Sequence, residues 1–330
     1  MLFAILPKLL LSLLALIGVV ALVLGAMLAS PLRAPPPLAS IQAGAKAVGS
    51  EGKPDISRFQ ARDGTWLAYR LYPPAGGATG RLAIVVHGST GSSDAMHAVA
   101  QALAAAGVTA VAIDARGHGA SGTRGDIGYI GQLDDDLADL MALLRQHYPG
   151  ARVTLIGHSS GGGFALRVAA GPLGASFDRI VVLAPYLGYD APTNQASQGV
   201  GRWASPDMPR IIALSILRRL GMDWAQGLPA IAFANAPEAA KFVTSRYSYR
   251  LLVNFGPPSD WKGALQSNAG KIELIAGDAD ELMDPTAYQA NVAPLGVRVT
   301  LLPGVDHMGI LHAPAALAAI VAALSERPLR

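Results

Sequence analysis

The chain opens on an unbroken apolar run and then settles into an alternation of short apolar stretches and helix-spaced segments. From Leu9 to Ala29 no residue is charged, and Ser12 is the main polar one. These 21 residues would reach roughly 31 Å as a helix, enough to cross the hydrocarbon core of a bilayer. The run is apolar on every face, which does not suit a helix packed on a globular core. A secretory signal has a shorter apolar region, about 7–15 residues, closed by small residues. No clean A-x-A closes this one near Ala26 or Ala29. Residues 1–29 are therefore expected to be a retained transmembrane anchor, with a cleaved signal and a secreted product as the alternative. Lys8 before the run and Arg33 and Lys46 after it hardly discriminate orientation. The short tail ahead of a long export-type segment favours N-inside, which places the remaining chain outside the cytoplasm. Residues 30–54, rich in Pro, Ala and Gly and containing Pro35-Pro36-Pro37, predict a tether with little packed structure.

From residue 55 onward the pattern predicts an α/β domain. Ser57–Ala61 and Trp66–Leu71 flank Arg62-Asp63-Gly64 as a hairpin. Leu82–Val86, Val108–Ile113, Val153–Ile156, Ile180–Leu183, Ile272–Ile275 and Val297–Leu302 are short apolar runs. Helix-like segments at Ala95–Ala106, Leu133–His147, Gly161–Ala170 and about Ala315–Leu324 stand between or after them. Continuous apolar strands separated by helices predict a mostly parallel central sheet covered on both faces. The rhythm breaks between about residues 186 and 265, which show no clear strand and hold Trp203, Trp224 and Trp261. That stretch is expected to be a helical insertion over the sheet. Within it, Pro206–Leu220 sets Ile211, Leu214 and Leu217 near one helical face.

Composition narrows the function classes. Apolar residues at 51% and charged residues at 15% exclude a disordered chain. The absence of cysteine excludes a disulfide framework, a thiol nucleophile and thiolate metal sites. A net charge of +3, with no basic cluster interleaved with aromatics, excludes nucleic acid as an expected partner. The insertion is mildly basic: Arg202, Arg210, Arg218, Arg219, Lys241, Arg246, Arg250 and Lys262 face Asp190, Asp207, Asp223, Glu238 and Asp260.

The sharpest chemical signal is Gly157-His158-Ser159-Ser160-Gly161, with a strand predicted before it and a helix after it. In that context G-x-S-x-G describes a tight turn that lifts a serine hydroxyl above the sheet. Such a hydroxyl needs a base. Two histidines follow it, His307 and His312. His307 is preferred because it sits just past the last predicted strand, where a loop can lower it onto Ser159. The acid that orients it is expected in the loop after the penultimate strand, which offers Asp278, Asp280, Glu281 and Asp284. Asp280 is the first choice, with Asp278 and Asp284 behind it. An oxyanion needs two backbone donors. The N–H of Ser160 opens the helix after the nucleophile, and the N–H of Ser89 follows the strand ending in Val86-His87-Gly88.

These motifs together with Asp114-Ala-Arg116-Gly117-His118-Gly119-Ala-Ser121 resemble the α/β-hydrolase superfamily, in particular its lysophospholipase and monoacylglycerol-lipase-like branch, grouped with serine aminopeptidases. The resemblance covers about residues 57–325. It implies an α/β-hydrolase fold with a lid at about 186–265, no metal and no organic cofactor. It also implies that the Asp-x-Arg-Gly-His-Gly-x-Ser block, His118 included, shapes the loop beside the site without catalysing a step. Ser160 departs from the methionine common in that branch, where only the backbone N–H is used. The expected function is a membrane-associated serine hydrolase of a lipid-like or small acyl ester. An aminopeptidase or amidase on the same triad is the alternative. A catalytically silent tethered binding protein would have no need of all three residues.

Overall fold

The computed structural model describes residues 2–77, 79–195, 203–239 and 243–325. Its elements in chain order begin with α1 (Leu2–Leu28) and α2 (Ala39–Ala47), followed by β1 (Ser57–Gln60), β2 (Trp66–Tyr72), β3 (Arg81–Val86), α3 (His97–Ala105) and β4 (Thr109–Ile113). Next come α4 (Gln132–His147), β5 (Arg152–His158), α5 (Ser160–Ala170) and β6 (Arg179–Leu183). The insertion then supplies β7 (Ala204–Pro206), α6 (Met208–Arg219), β8 (Pro229–Phe233), β9 (Arg246–Ser248), α7 (Tyr249–Asn254) and α8 (Trp261–Ser267). The chain closes with β10 (Ile272–Gly277), α9 (Pro285–Asn291), β11 (Arg298–Leu302) and α10 (Pro314–Ser325).

Among the described residues, eight strands form the main sheet in the order β1-β2-β4-β3-β5-β6-β10-β11. β1 pairs antiparallel with β2, and β2 with β4. The other pairings, from β4 to β11, are parallel. Burial explains the strand pattern. β4, β6 and β10 are buried along their whole lengths, and β3 and β5 everywhere but their first residue. A parallel strand covered by helices on both faces must be apolar at successive positions. The edge strands β1 and β11 are only partly buried. The parallel strands run so that their C-terminal ends share one edge of the sheet, where the loops that follow them gather.

Two expectations need correction. The insertion is not purely helical: β7, β8 and β9 form a small antiparallel sheet. β7 and β9 have three residues each, too short to leave an alternation in the sequence, and each finds its partner far along the chain. The stretch after α1 is also more than a spacer. α2 places Ile41 and the following Val48 in the main core, and the Leu38 N–H donates to the Ala234 carbonyl in the insertion. Gly44 packs so closely that a Cβ there would lie 2.2 Å from Cβ of Met308, so the absence of a side chain lets α2 lie against the loop that carries His307.

The apolar helix is present as expected. Lys8–Leu28 is long and apolar enough to cross a membrane, with a mean hydropathy of 2.8, and none of that span is buried in the protein. A signal sequence near the N-terminus passes the same test of length and composition.

Candidate active site

Ser159 sits at the junction of β5 and α5 with φ 52° and ψ −118°, a backbone region that costs a residue other than glycine about 1–3 kcal/mol. Surrounding contacts hold it there. The Ser159 N–H donates to Leu183 O at 2.9 Å, and its carbonyl accepts from Gly163 and Tyr186, each at 3.0 Å. The flanking glycines are required by backbone proximity. A Cβ on Gly157 would lie 2.1 Å from the Gly161 carbonyl oxygen, and one on Gly161 would lie 2.3 Å from that of His87. The spacing of the motif is thus the imprint of a turn folded against β3.

On the neighbouring loops, Nδ1 of His307 donates to Oδ2 of Asp280 at 2.9 Å, and both residues are buried. The other Asp280 oxygen, Oδ1, accepts from the N–H groups of Leu282 and Met283, each at 2.8 Å. The carboxylate is therefore fixed by the start of its own loop and aimed at the ring. Burial disfavours a charged imidazole, but Asp280, helped by Glu281 and Asp306, outweighs it and raises the His307 pKa above the ordinary value. The alternative acids serve elsewhere. Asp278 accepts from the Gly304 N–H, and Asp284 caps the N-terminus of α9.

His307 is set against the elbow by His158. The two rings lie 4.8 Å apart, and Nε2 of His158 donates to the His307 carbonyl at 3.2 Å. Burial, with the nearby His307, drives the His158 pKa well below the usual range, so this ring is a neutral prop. No hydrogen bond joins the Ser159 hydroxyl to the His307 ring. Ser159, Ser160 and Ser89 line one cavity of about 700 Å³, within the range of small-molecule sites. Its walls are mostly apolar and come largely from the insertion, including Trp203, Met208, Ile211 and Phe233.

The Asp-x-Arg-Gly-His-Gly-x-Ser block braces this arrangement. Asp114 accepts from the Ser93 and Ala120 N–H groups, and Arg116 binds Asp136 and Asp63. His118 accepts the hydroxyl proton of Tyr247 at 2.7 Å, and the Tyr247 oxygen accepts from the Thr90 N–H at 2.9 Å. Thr90, at φ 65°, is itself strained. Burial first, and His87 second, hold the His118 pKa well below its ordinary value. A neutral His118 thus ties strand β9 of the insertion to the loop carrying Ser89.

One contributor was given no role by the sequence alone. Glu281 Oε2 accepts from the His307 N–H at 3.0 Å, while its buried Oε1 has no hydrogen-bond partner. Glu281 lines the cavity. The acid-rich loop pointed to it only as one of several carboxylates. Two of the insertion's arginines are paired, Arg210 with Asp207 and Arg250 with Asp126, and Arg202 and Lys241 lie outside the described residues.

The profile of the hydrolase family described as serine aminopeptidase, S33, matches residues 78–311. The chain belongs to this family. A monoacylglycerol lipase of Mycolicibacterium smegmatis is 29% identical over 113 residues, 34% of this chain and 40% of that relative. The chain thus spans well under half the length of that curated relative in the matched region. Among solved structures, a soluble variant of the monoglyceride lipase of Saccharomyces cerevisiae, in complex with a substrate analogue, superposes with a TM-score of 0.57 at 16% identity. That likeness covers 82% of this chain and 94% of the lipase. A putative aryl esterase of Burkholderia cenocepacia gives 0.55 at 21% identity, covering 82% and 100%. These likenesses establish the α/β-hydrolase fold of the family member.

Proposed function

We propose that this chain is a membrane-associated serine hydrolase that cleaves a carboxylic ester bearing a lipid-like acyl group. The observation that carries the reading is the pairing of a strained serine, displayed at the floor of a largely apolar cavity, with an Asp280–His307 pair on adjacent loops. Ser159 Oγ attacks the ester carbonyl carbon as His307 Nε2 takes its proton. With Nδ1 donating to Asp280, the neutral ring keeps Nε2 as the acceptor. The gap between hydroxyl and ring closes as substrate binds, as catalytic hydrogen bonds commonly do. The developing oxyanion accepts from the N–H groups of Ser89 and Ser160, the latter at the positive end of α5. Collapse expels the alcohol with the proton from His307. Water then repeats the sequence on the acyl-enzyme and releases the acid. The monoacylglycerol lipase relative supports an acyl ester, and α1 supports membrane attachment, with the catalytic domain on the side away from the cytoplasm.

The base works only when neutral, and its pKa is raised. Turnover should therefore climb with pH through a midpoint above the ordinary histidine value of about 6.5. A kcat/KM profile with its acidic limb centred at or below that value would contradict His307 as the base. The same shift makes the charged His307–Asp280 pair stabilising at low pH, an effect lost as pH rises through the folded-state pKa.

A second reading has one specific observation behind it. The unpartnered Glu281 Oε1 in the cavity wall could receive the ammonium of an aminoacyl substrate as well as the hydroxyls of a glycerol ester. A panel of monoacylglycerols, p-nitrophenyl esters and aminoacyl amides separates the two. The ester reading predicts kcat/KM for long-chain esters at least about 100-fold above that for the amides, a difference of roughly 2.7 kcal/mol. Preference for the amides, abolished by Glu281→Gln, would replace it with the aminopeptidase reading.

A further inference from the structure

The exit end of α1 is bonded to the insertion. Carbonyls at a helix C-terminus have no partner within the helix and carry its negative pole. Here Arg210 of α6 satisfies them: Nε donates to Leu28 O at 2.9 Å, and a terminal nitrogen donates to Ser30 O. The third nitrogen donates to Pro229 O of β8 at 2.6 Å. The Ser30 hydroxyl donates to the carboxylate of Asp207 at 2.6 Å. The same carboxylate caps α6 by accepting from the Arg210 N–H. Leu24 and Leu28 complete the contact, packing on a small core of Leu214, Leu217, Ala225, Ala230 and Tyr249. The negative pole of one helix and the positive pole of the other are thus joined through a Ser30–Asp207–Arg210 clamp.

The outer face of α6 is the second observation. Met208, Ile212 and Ile216 recur every four residues, which places them on one face, and Leu220 follows at the helix end. All four are exposed, Leu220 at 63%, and Trp224 just beyond is 76% exposed. Exposed apolar patches of this kind mark contacts with a membrane or a protein. The stripe sits on the helix clamped to a segment able to cross a bilayer. Arg218 and Arg219 end α6, where long cationic side chains can reach lipid phosphates while their stems lie in apolar surroundings. Met208 belongs both to the stripe and to the cavity wall.

We propose that α1 and the lid form one membrane-seated unit. The clamp lays α6 in the interfacial layer of the leaflet that α1 leaves, with Met208, Ile212, Ile216 and Leu220 among the acyl chains. The cavity edge at Met208 then meets lipid, and an acyl ester enters by lateral movement from the bilayer. This rests on reading α1 as a retained span, and the test separates the two claims.

Because the chain has no cysteine, single nitroxide labels report one position each. The full chain is reconstituted in phosphatidylcholine–phosphatidylglycerol vesicles with a label at Val20→Cys in α1, Ile216→Cys in α6, or Arg152→Cys at the exposed start of β5. Power-saturation EPR then compares collisions with oxygen, which partitions into lipid, and with a water-soluble nickel chelate. Val20 and Ile216 should favour oxygen and Arg152 nickel. Oxygen at Val20 but nickel at Ile216 would overturn the seated lid and leave the anchor intact. Nickel at both would overturn the anchor and the seated lid together. Arg210→Ala tests the clamp. It should slow hydrolysis of a long-chain monoacylglycerol held in vesicles about tenfold and leave a soluble short-chain ester within about twofold. The same fold-change on both substrates relative to the parent, or none on either, would refute a clamp that positions the lid.

Discussion

Ser159→Ala is expected to lower ester turnover by about six orders of magnitude, the scale set when a serine hydrolase loses its nucleophile. The substitution removes one oxygen and keeps Cβ, so the contacts that hold the elbow remain: the amide bond to Leu183 O and the two amides received by the Ser159 carbonyl. The fold should be unchanged by circular dichroism and by its unfolding midpoint, which makes the loss one of chemistry alone. Near-native turnover of purified Ser159→Ala, with the parent measured alongside, would remove the serine from the mechanism.

Asp280→Asn should cost about 10⁴ in kcat, through the tautomer of His307. The cause lies in the two amides that bind Asp280 Oδ1. An asparagine in this position keeps its carbonyl oxygen toward those donors and turns its NH₂ toward Nδ1 of His307. Nδ1 must then accept, and Nε2 must carry the proton, so it can no longer take one from Ser159. Asp278→Asn and Asp284→Asn are the controls. Their carboxylates hold a turn at Gly304 and a helix cap on α9; an asparagine oxygen accepts the same amide bonds, so both variants should keep stability and turnover close to the parent's. A crippled Asp278 or Asp284 variant beside an active Asp280→Asn would reassign the acid.

What was legible in the sequence follows from how strongly each contact constrains residue type. The central strands were visible because both faces are buried, so every position between Leu82 and Val86 is apolar, and in Ile272–Ile275 the one buried charge, Glu273, is paired with Arg179. The elbow was visible because Gly157 and Gly161 lie against backbone that leaves no room for a Cβ. The sheet of the insertion was hidden because its strands are short and its pairs join residues remote in the chain, such as Ala204 and Phe233. α2 was hidden for another reason. Its Ala- and Gly-rich sequence resembles a linker, and the purpose of Gly44 emerges only when Met308 lies against it. In the acidic loop, sequence could name the carboxylates but not their directions. Those depend on a turn in which Oδ1 of Asp280 binds two amides and Oδ2 faces the ring. The Ser30–Asp207 bond spans 177 residues and leaves no local pattern at all.

Covalent trapping asks whether Ser159 is a nucleophile activated by its surroundings. The full chain is treated with a fluorophosphonate at pH 8, digested and mapped by mass spectrometry. A single phosphonyl adduct is expected on Ser159, absent from Ser159→Ala and strongly slowed in Asp280→Asn. An intact, folded chain that takes up no probe, or carries the adduct on another residue, would contradict it.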